Sequence, residues 1–311
     1  MVLAPSAHNT QPWRFTAQSN QIDIYVDWDR HLPISDPTHR QLLVSIGCAI
    51  ANAKVAAHYW GYEAEVTYFP AGQTNDAPVA RLVLKSSRSK NQLSLAELFS
   101  AIEARRTDRA LYDSQPLTDA ERAAITKDAD SSVLLLENNS AIKQIAALTE
   151  EATVKTLSRD DFREELSHWV RSNWSDRPDG MPGYAMGMPP PVSLVSSFIV
   201  RHMPIHKQEG PKTRQQISSS SVVAIIATDS ESPADSLRAG EALETLWLRA
   251  TTAGLAVAPL VATVEAGEPI RQRLMQIANT KKYPQSVLRI GHGSAVPLRA
   301  TPRRNVEDCL I

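Results

Sequence analysis

The amino-acid sequence predicts an α+β fold with mostly antiparallel central sheets flanked by helices, and three patterns support this. Trp13 and Phe15 alternate with Arg14, and apolar residues again recur at every second position in residues 21–27, as they do in a half-buried strand. Residues 42–57 keep apolar side chains on one broad face, which is typical of a buried central helix. The continuous apolar run at 221–227 suits a strand that is buried on both faces, so we expect it at the centre of a sheet.

The other elements follow from caps, turns and periodicity. Asp36 and Pro37 supply the N-cap and the first-turn proline of the first long helix, and two strands within residues 64–85 form a hairpin through the loop at 70–78. Residues 86–92 are polar and basic, and we expect a linker there. Downstream, the sequence predicts a helix that Ser94 caps and that ends at Arg105 and Arg106, followed by a short helix from Thr118 to about Asp128. Further helices are predicted at 140–157, at 160–172, from 193, at 241–254 and at 269–279. Strands are predicted at 132–136, at 257–261 after a short loop, and at 286–291.

Composition and charge exclude several classes of protein. The 33 basic and 34 acidic residues give a formal charge of -1, so no overall field recruits nucleic acid or an anionic membrane. No apolar run reaches the roughly 18 to 20 residues of a membrane span, and we expect a cytoplasmic protein without membrane or nucleic-acid partners. Cys48 and Cys309 form neither a disulfide framework nor a zinc set, and no metal site is expected.

Two short stretches carry polar groups that could bind a ligand. In residues 4–15, prolines fix the backbone while Ser6, Asn9 and Thr10 can bond their own main chain, so this stretch should be a rigid loop leading into a strand. Residues 105–109 bring three arginines together at a helix end. From the residues alone, a surface turn and ordinary compensation of the helix dipole remain the simpler interpretations.

Residues 173–191 break the regular pattern. Their prolines and glycines argue against regular structure, yet Met181, Tyr184, Met186 and Met188 are too apolar for a solvated linker. A long loop with apolar side chains is expected to be a lid. The alternative, a loop that covers part of the core, is equally compatible, because methionine fills irregular gaps wherever they occur.

A family resemblance adds to these interpretations. Residues 4–15, Ala-Pro-Ser-Ala-His-Asn-Thr-Gln-Pro-Trp-Arg-Phe, resemble the Pro-Ser-x-x-Asn-x-Gln-Pro-Trp segment of the nitroreductase superfamily, and residues 105–109 resemble its arginine-rich segment. Residues 30–42 are similar to the Arg-x-Leu-Pro-x-x-Asp-Pro-x-x-Arg-x-Leu pattern of the Acg-type subgroup, in which two halves are fused. The resemblance therefore implies a nitroreductase-like tandem pseudo-twofold repeat, with halves at 1–90 and 91–311.

What the resemblance implies about function is specific. It implies bound FMN, NAD(P)H as the electron donor, and a nitroaromatic, quinone or similar small-molecule acceptor reduced in a ping-pong cycle. It leaves open a flavin-sequestering protein with a closed lid. It also implies a pseudo-dimeric monomer or a homodimer of such chains, with one of the two symmetry-related flavin sites degenerate.

The resemblance also assigns cofactor contacts residue by residue, and no side chain is assigned to catalysis because the flavin carries the chemistry. The implied contacts are Pro5, Ser6, Ala7 and Asn9 beside the flavin ring, Arg105, Arg106, Thr107, Arg303 and Arg304 on the phosphate side, Arg109 near the N1 and C2 carbonyl side, Arg214 as a weaker basic match, and the backbone of Pro259, Leu260 and Val261.

Overall fold

A computed structural model describes residues 1–86, 93–127, 129–293 and 298–311. Most of the predicted linker, residues 87–92, lies outside these ranges. The strands are β1 (Trp13–Gln18), β2 (Gln21–Val26), β3 (Tyr62–Tyr68), β4 (Ala80–Ser86), β5 (Val133–Leu136), β6 (Val170–Arg171), β7 (Met181–Pro182), β8 (Val222–Thr228), β9 (Ala256–Pro259) and β10 (Tyr283–Gly291). The α-helices are α1 (Arg40–Tyr59), α2 (Leu93–Ala96), α3 (Phe99–Ala104), α4 (Asp119–Thr126), α5 (Asn139–Leu157), α6 (Asp160–Trp169), α7 (Pro190–Ser193), α8 (Ser196–His202), α9 (His206–Ser218), α10 (Pro233–Thr252), α11 (Ala262–Glu265) and α12 (Glu268–Ile277).

The two large sheets repeat one topology. The first has the order β1-β2-β4-β3 and the second β5-β8-β10-β9, so each places its strands in the order first, second, fourth, third. All pairings within them are antiparallel. In each sheet a helix of 20 residues, α1 or α10, connects the second strand to the third. This repeat confirms the predicted α+β tandem arrangement, whereas the exact boundary between the halves stays a prediction.

The two long helices, α1 and α10, pack against each other through glycine. Gly47 is the eighth residue of α1 and Gly240 is the eighth residue of α10. A Cβ atom on Gly47 would lie 2.1 Å from the Leu237 carbonyl oxygen and 2.8 Å from the Gly240 Cα atom. The backbones of the two helices therefore touch, and the contact lies at equivalent positions of the two halves.

Strand β8 is one of the two inner strands of the second sheet, in agreement with the interior position that its apolar sequence predicts. Each of its seven residues is buried. One face contributes Val222, Ala224 and Ile226 to the core that contains α1 and α10. The other face contributes Val223, Ile225 and Ala227 to a second core under α5, α11 and α12.

Several predicted helix boundaries need correction. The N-cap position of α1 is His39, and Asp36 instead caps from outside the helix by accepting the Leu42 N–H at 2.8 Å, while Pro37 precedes the first turn. A break after Ala96 places Ser94 inside the one-turn helix α2.

Two more elements differ from the expectation. Helix α10 begins eight residues earlier than predicted because the Ser232 hydroxyl caps it by accepting the Asp235 N–H at 3.2 Å. Residues 173–191, expected to lack regular structure, contain β7, a 3-10 turn at Gly183–Met186 and the first residues of α7.

Helix α1 is long and apolar enough to cross a membrane, by length and composition alone, among the residues that the structure describes. Its most apolar window is 72% buried inside the fold. This burial is expected of a core helix, and α1 is such a helix because it packs against α10.

Candidate functional site

The N-terminal loop, residues 5–11, has an unusual backbone. His8, Asn9 and Gln11 have φ angles of 49°, 56° and 55°, in the left-handed region that non-glycine residues rarely adopt. The Ser6 hydroxyl accepts the Gln11 N–H at 2.9 Å, and the Ala7 N–H donates to the Ser45 hydroxyl of α1 at 3.3 Å. Residues in such conformations persist where their surroundings hold them, and they concentrate at functional sites.

The C-terminal segment and the start of the predicted lid hold this loop in place. The Asn9 side-chain amide donates to the carbonyl oxygens of Gly180 at 2.9 Å and Pro302 at 3.1 Å. The Gln11 amide donates to the Pro178 carbonyl at 2.7 Å, and its oxygen accepts the Arg304 N–H at 2.8 Å. The Asn9 Oδ1 atom is buried without a hydrogen-bond partner among the residues described, so one acceptor in the loop stays available.

Residues 178–180, the lid stem, are fixed by an ionic network. The buried Asp179 carboxylate lies 3.1 Å from Arg30, 2.9 Å from Arg171 and 3.3 Å from Arg177. Since Arg30 belongs to the first half of the chain, this network ties the stem across the molecule. The stem is therefore anchored, and residues 183–188, the lid tip, lie beyond this network.

The lid tip lies over residues predicted to bind the cofactor. The Arg109 guanidinium donates to the Ala185 carbonyl at 2.7 Å. The Tyr184 hydroxyl donates to the Ala300 carbonyl at 2.9 Å, and the Arg299 guanidinium lies 4.4 Å from the centre of the Tyr184 ring. The tip thus contacts both the arginine-rich segment and the C-terminal segment.

Three arginines, Arg105, Arg106 and Arg303, form a cluster with an excess of positive charge. Burial, together with repulsion from Arg105 and Arg106, lowers the pKa of Arg303 to about 9, although Glu244 opposes this. Burial and Arg105 also lower the pKa of Arg106. Within the described part of the chain, Arg105 pairs with Glu244 at 3.4 Å, while Arg106 and Arg303 have no carboxylate within 4.0 Å. The arginine cluster therefore suits an anion.

Buried nitrogens of the cluster support the same conclusion. The Nε atoms of Arg106 and Arg303 have no hydrogen-bond partner among the described residues, and the Arg105 Nε atom has only the Glu244 carboxylate at 3.4 Å, without hydrogen-bond geometry. A buried donor without an acceptor is costly, so such atoms indicate where a bound anion or water completes the structure.

Two of the predicted arginines lie elsewhere. Arg304 points into the fold, where its guanidinium contacts the Asp27 carboxylate at 3.1 Å and the Gln11 carbonyl at 3.2 Å. Arg214 is on the surface of α9, with 57% of its side chain exposed, and pairs with Glu150 at 3.1 Å. Arg304 is thus placed to brace the N-terminal loop, and Arg214 is not part of the arginine cluster.

The remaining predicted contacts flank strand β9. Thr107 forms a parallel bridge with Val257 near the start of β9, so the arginine-rich segment runs along this strand. Pro259 ends β9, the Leu260 N–H donates to the Val287 carbonyl at 2.7 Å, and Val261 precedes α11.

Arg289 positions the arginine-rich segment, and the sequence interpretation missed it. Its side chain is 1% exposed and donates to the carbonyl oxygens of Asp108 at 2.8 Å, Ala110 at 2.7 Å and Gln216 at 2.8 Å. These bonds fix the backbone on both sides of Arg109. A single charged residue inside the apolar strand β10 was the signal available in the sequence.

His8 is a second residue that the sequence interpretation missed. Its ring meets Phe162 edge-on, with centroids 6.5 Å apart. Burial lowers the pKa of His8 to about 4, with the Glu165 carboxylate opposing and the Arg109 guanidinium reinforcing the shift. His8 is therefore neutral near pH 7, and it brings the N-terminal loop close to Arg109.

The structure thus unites three segments that are far apart in sequence, namely the N-terminal loop, residues 105–109 and residues 299–304.

No family model matches the chain. Similar proteins do occur in Mycobacterium tuberculosis. The protein provisionally named NAD(P)H nitroreductase Rv3131 is 28% identical over 309 residues, which cover 99% of this chain and 88% of that protein. The acg protein, with the same provisional name, is 27% identical over 318 residues, covering 98% and 91% respectively.

One solved structure with partial similarity is the FMN-dependent nitroreductase NfnB from Mycobacterium smegmatis, in complex with NADPH. It is 15% identical and covers 69% of this chain and 97% of its own, with a TM-score of 0.44. This TM-score is too low to support an assignment of the fold. The fold described above is instead defined by the two repeated sheets. The sequence similarity to the two mycobacterial proteins extends over nearly the whole chain, so this chain is similar along its length to proteins provisionally named NAD(P)H nitroreductases.

Proposed function

We propose that this protein is an FMN-binding oxidoreductase that uses NAD(P)H to reduce small planar acceptors. The observation that carries the proposal is the arginine cluster, which holds three guanidinium groups and one paired carboxylate beside a strained loop from the other half of the chain. The names of the full-length relatives support the same chemistry.

The residues of the arginine cluster fit the phosphate of FMN. Guanidinium groups match phosphate oxygens in pairs and stay charged at any relevant pH. Arg105, Arg106 and Arg303 would bind the phosphate, and the unpartnered Nε atoms of Arg106 and Arg303 are donors that such a group can satisfy. Arg304 would act indirectly, by holding the N-terminal loop through Gln11.

The N-terminal loop and Arg109 would hold the flavin ring. Pro5, Ser6, Ala7 and Asn9 would border it, and the buried Asn9 Oδ1 atom would accept a ring N–H. Arg109 would stabilise negative charge on the reduced ring from a fixed position, because Arg289 holds the backbone around it. Bound FMN would supply the hydride chemistry, while these residues bind it, orient it and exclude water.

The acceptor would be a planar oxidant such as a quinone or a nitroaromatic. The lid tip carries Met186 and Met188, whose flexible side chains adapt to varied apolar partners. The fused chain would form its flavin site without a second copy, as a pseudo-dimeric monomer.

A second candidate function is flavin sequestration, favoured by the way the lid is tied down. Asp179 pairs with three arginines, and the tip is bonded to Arg109 and Ala300. A lid that stays closed would block access of NAD(P)H and of an acceptor to the flavin.

Anaerobic mixing of the FMN-loaded protein with NADH or NADPH separates these functions. For the reductase we expect loss of the oxidised flavin absorbance within seconds with at least one nucleotide, then its recovery when a quinone or nitroaromatic is added. A flavin that dithionite reduces but neither nucleotide reduces would contradict the reductase and support sequestration.

A further inference from the structure

Within the described part of the chain, Glu244 is the one carboxylate within 4.0 Å of a nitrogen of the arginine cluster. It lies on α10 with an exposure of 0%, and its carboxylate is 3.4 Å from the Arg105 Nε atom. The Trp247 ring, one turn further along α10, lies 4.5 Å from the Arg105 guanidinium carbon. Arg105 is thus held between two side chains of the same helix.

The environment of Glu244 disfavours its charged form. Burial raises the pKa of the Glu244 carboxyl group, and this shift is opposed first by Arg105 and then by the adjacent Asn52 side chain on α1. Neither carboxylate oxygen has a hydrogen bond of good geometry within the described ranges, and the same holds for both polar side-chain atoms of Asn52. A structural ion pair inside a protein normally has its remaining lone pairs satisfied by hydrogen bonds. The electrostatic attraction to the arginines is therefore the main interaction that favours an ionised Glu244.

The arginine cluster and Glu244 together carry an excess of positive charge that suits a dianion. Arg105, Arg106 and Arg303 contribute three positive charges and Glu244 one negative charge, which leaves an excess of two. A phosphate monoester carries close to two negative charges near pH 7. Without Glu244, the buried Arg105 and the half-buried Arg106 and Arg303 would have no carboxylate within 4.0 Å among the described residues.

We propose that Glu244 is the resident counter-ion of the arginine cluster, which stabilises the protein before FMN binds and competes with the FMN phosphate. This inference rests on the proposed function. It means that the carboxylate contributes more to the stability of the flavin-free protein than to that of the flavin-bound protein. Glu244 thereby sets the affinity for FMN below the value that the arginines alone would give.

Two other roles for Glu244 make opposite predictions. A carboxylate that only supports the fold would stabilise the flavin-free and flavin-bound proteins equally. A carboxylate that positions Arg105 for the phosphate would strengthen FMN binding. Only a competing counter-ion weakens it.

The test is thermal unfolding of Glu244→Gln with and without saturating FMN. We expect the midpoint of the flavin-free variant to fall by several degrees more than that of the flavin-bound variant, so that FMN raises the midpoint more than it does in the wild type. We also expect FMN to bind the variant roughly tenfold more tightly, because its phosphate replaces a missing counter-charge. Riboflavin, which lacks the phosphate, should bind both proteins equally.

Two variants complete the experiment. Glu241→Gln removes a carboxylate three residues earlier on α10 that pairs with Lys54 at 2.6 Å and lies outside the cluster. It should lower both midpoints by the same amount. Glu244→Asp keeps the charge and should restore an FMN-induced shift close to that of the wild type.

The outcomes are distinct. An equal or smaller FMN-induced shift in Glu244→Gln overturns the counter-ion role. A variant that is soluble only when FMN is supplied supports it, whereas one that is insoluble with and without FMN contradicts it. If the wild type itself shows no shift with FMN, the proposed function fails instead.

Discussion

Replacement of Gly47 by alanine is expected to lower the free energy of unfolding by about 3 kcal/mol or more, because the new methyl group must displace backbone. Its Cβ atom would lie 2.1 Å from the Leu237 carbonyl oxygen and 2.8 Å from the Gly240 Cα atom. Neither atom can rotate away as a side chain could, so α1 and α10 must separate. Urea unfolding followed by circular dichroism measures the change.

Gly210→Ala is the matched control. Gly210 also lies inside a helix, α9, but the atom nearest to its added Cβ would be the Val154 Cγ2 methyl at 2.6 Å, the end of a side chain. That methyl can move, and alanine favours the helix by roughly 1 kcal/mol, so stability should change by less than about 1 kcal/mol. Equal losses in the two variants would show that the backbone contact between α1 and α10 is not as close as described.

Replacement of Arg303 by glutamine is expected to weaken FMN binding by about ten- to a hundredfold, the equivalent of 1.5 to 3 kcal/mol for one charge-assisted contact. Arg303 is half-buried near Arg105 and Arg106 and has no carboxylate within 4.0 Å in the described ranges. Its charge is therefore free to bind a phosphate. Titration of flavin-free protein with FMN, followed by fluorescence, measures the affinity.

Two comparisons make this result specific. Riboflavin affinity should not change in Arg303→Gln, since that ligand has no phosphate. Arg214→Gln removes an exposed arginine paired with Glu150 and should leave FMN affinity unaltered. If Arg303→Gln binds FMN as tightly as the wild type does, the arginine cluster is not the phosphate site; equal losses for both ligands would indicate damage to the fold.

Local signals in the sequence were sufficient for several elements. The apolar run of β8 indicated a strand buried on both faces, and its alternate residues do enter two different cores. Thr118 capped a helix as expected, accepting the Glu121 N–H at 3.2 Å while the Glu121 carboxylate accepts the Thr118 N–H at 2.7 Å. In each case the deciding interactions lie within a few residues of one another.

The rest depended on contacts between distant residues. Nothing near Asp179 in sequence indicates that Arg30 would fix the lid stem, and nothing near Arg105 indicates that Glu244 would be its partner. Arg304 matched a basic pattern, yet its guanidinium is directed to Asp27, which lies 277 residues earlier in the chain. A pattern of charges along the chain does not show which charges pair after folding.

The central claim is that both halves of the chain together form one flavin site. The N-terminal loop comes from the first half and the arginine cluster from the second, and Asn9 and Gln11 connect them through residues 302–304. The most direct test is the number of FMN molecules bound per chain, from the absorbance of released flavin and the protein concentration after reconstitution. We expect a value close to one. A value close to two, or a protein that takes up no FMN, would contradict the claim.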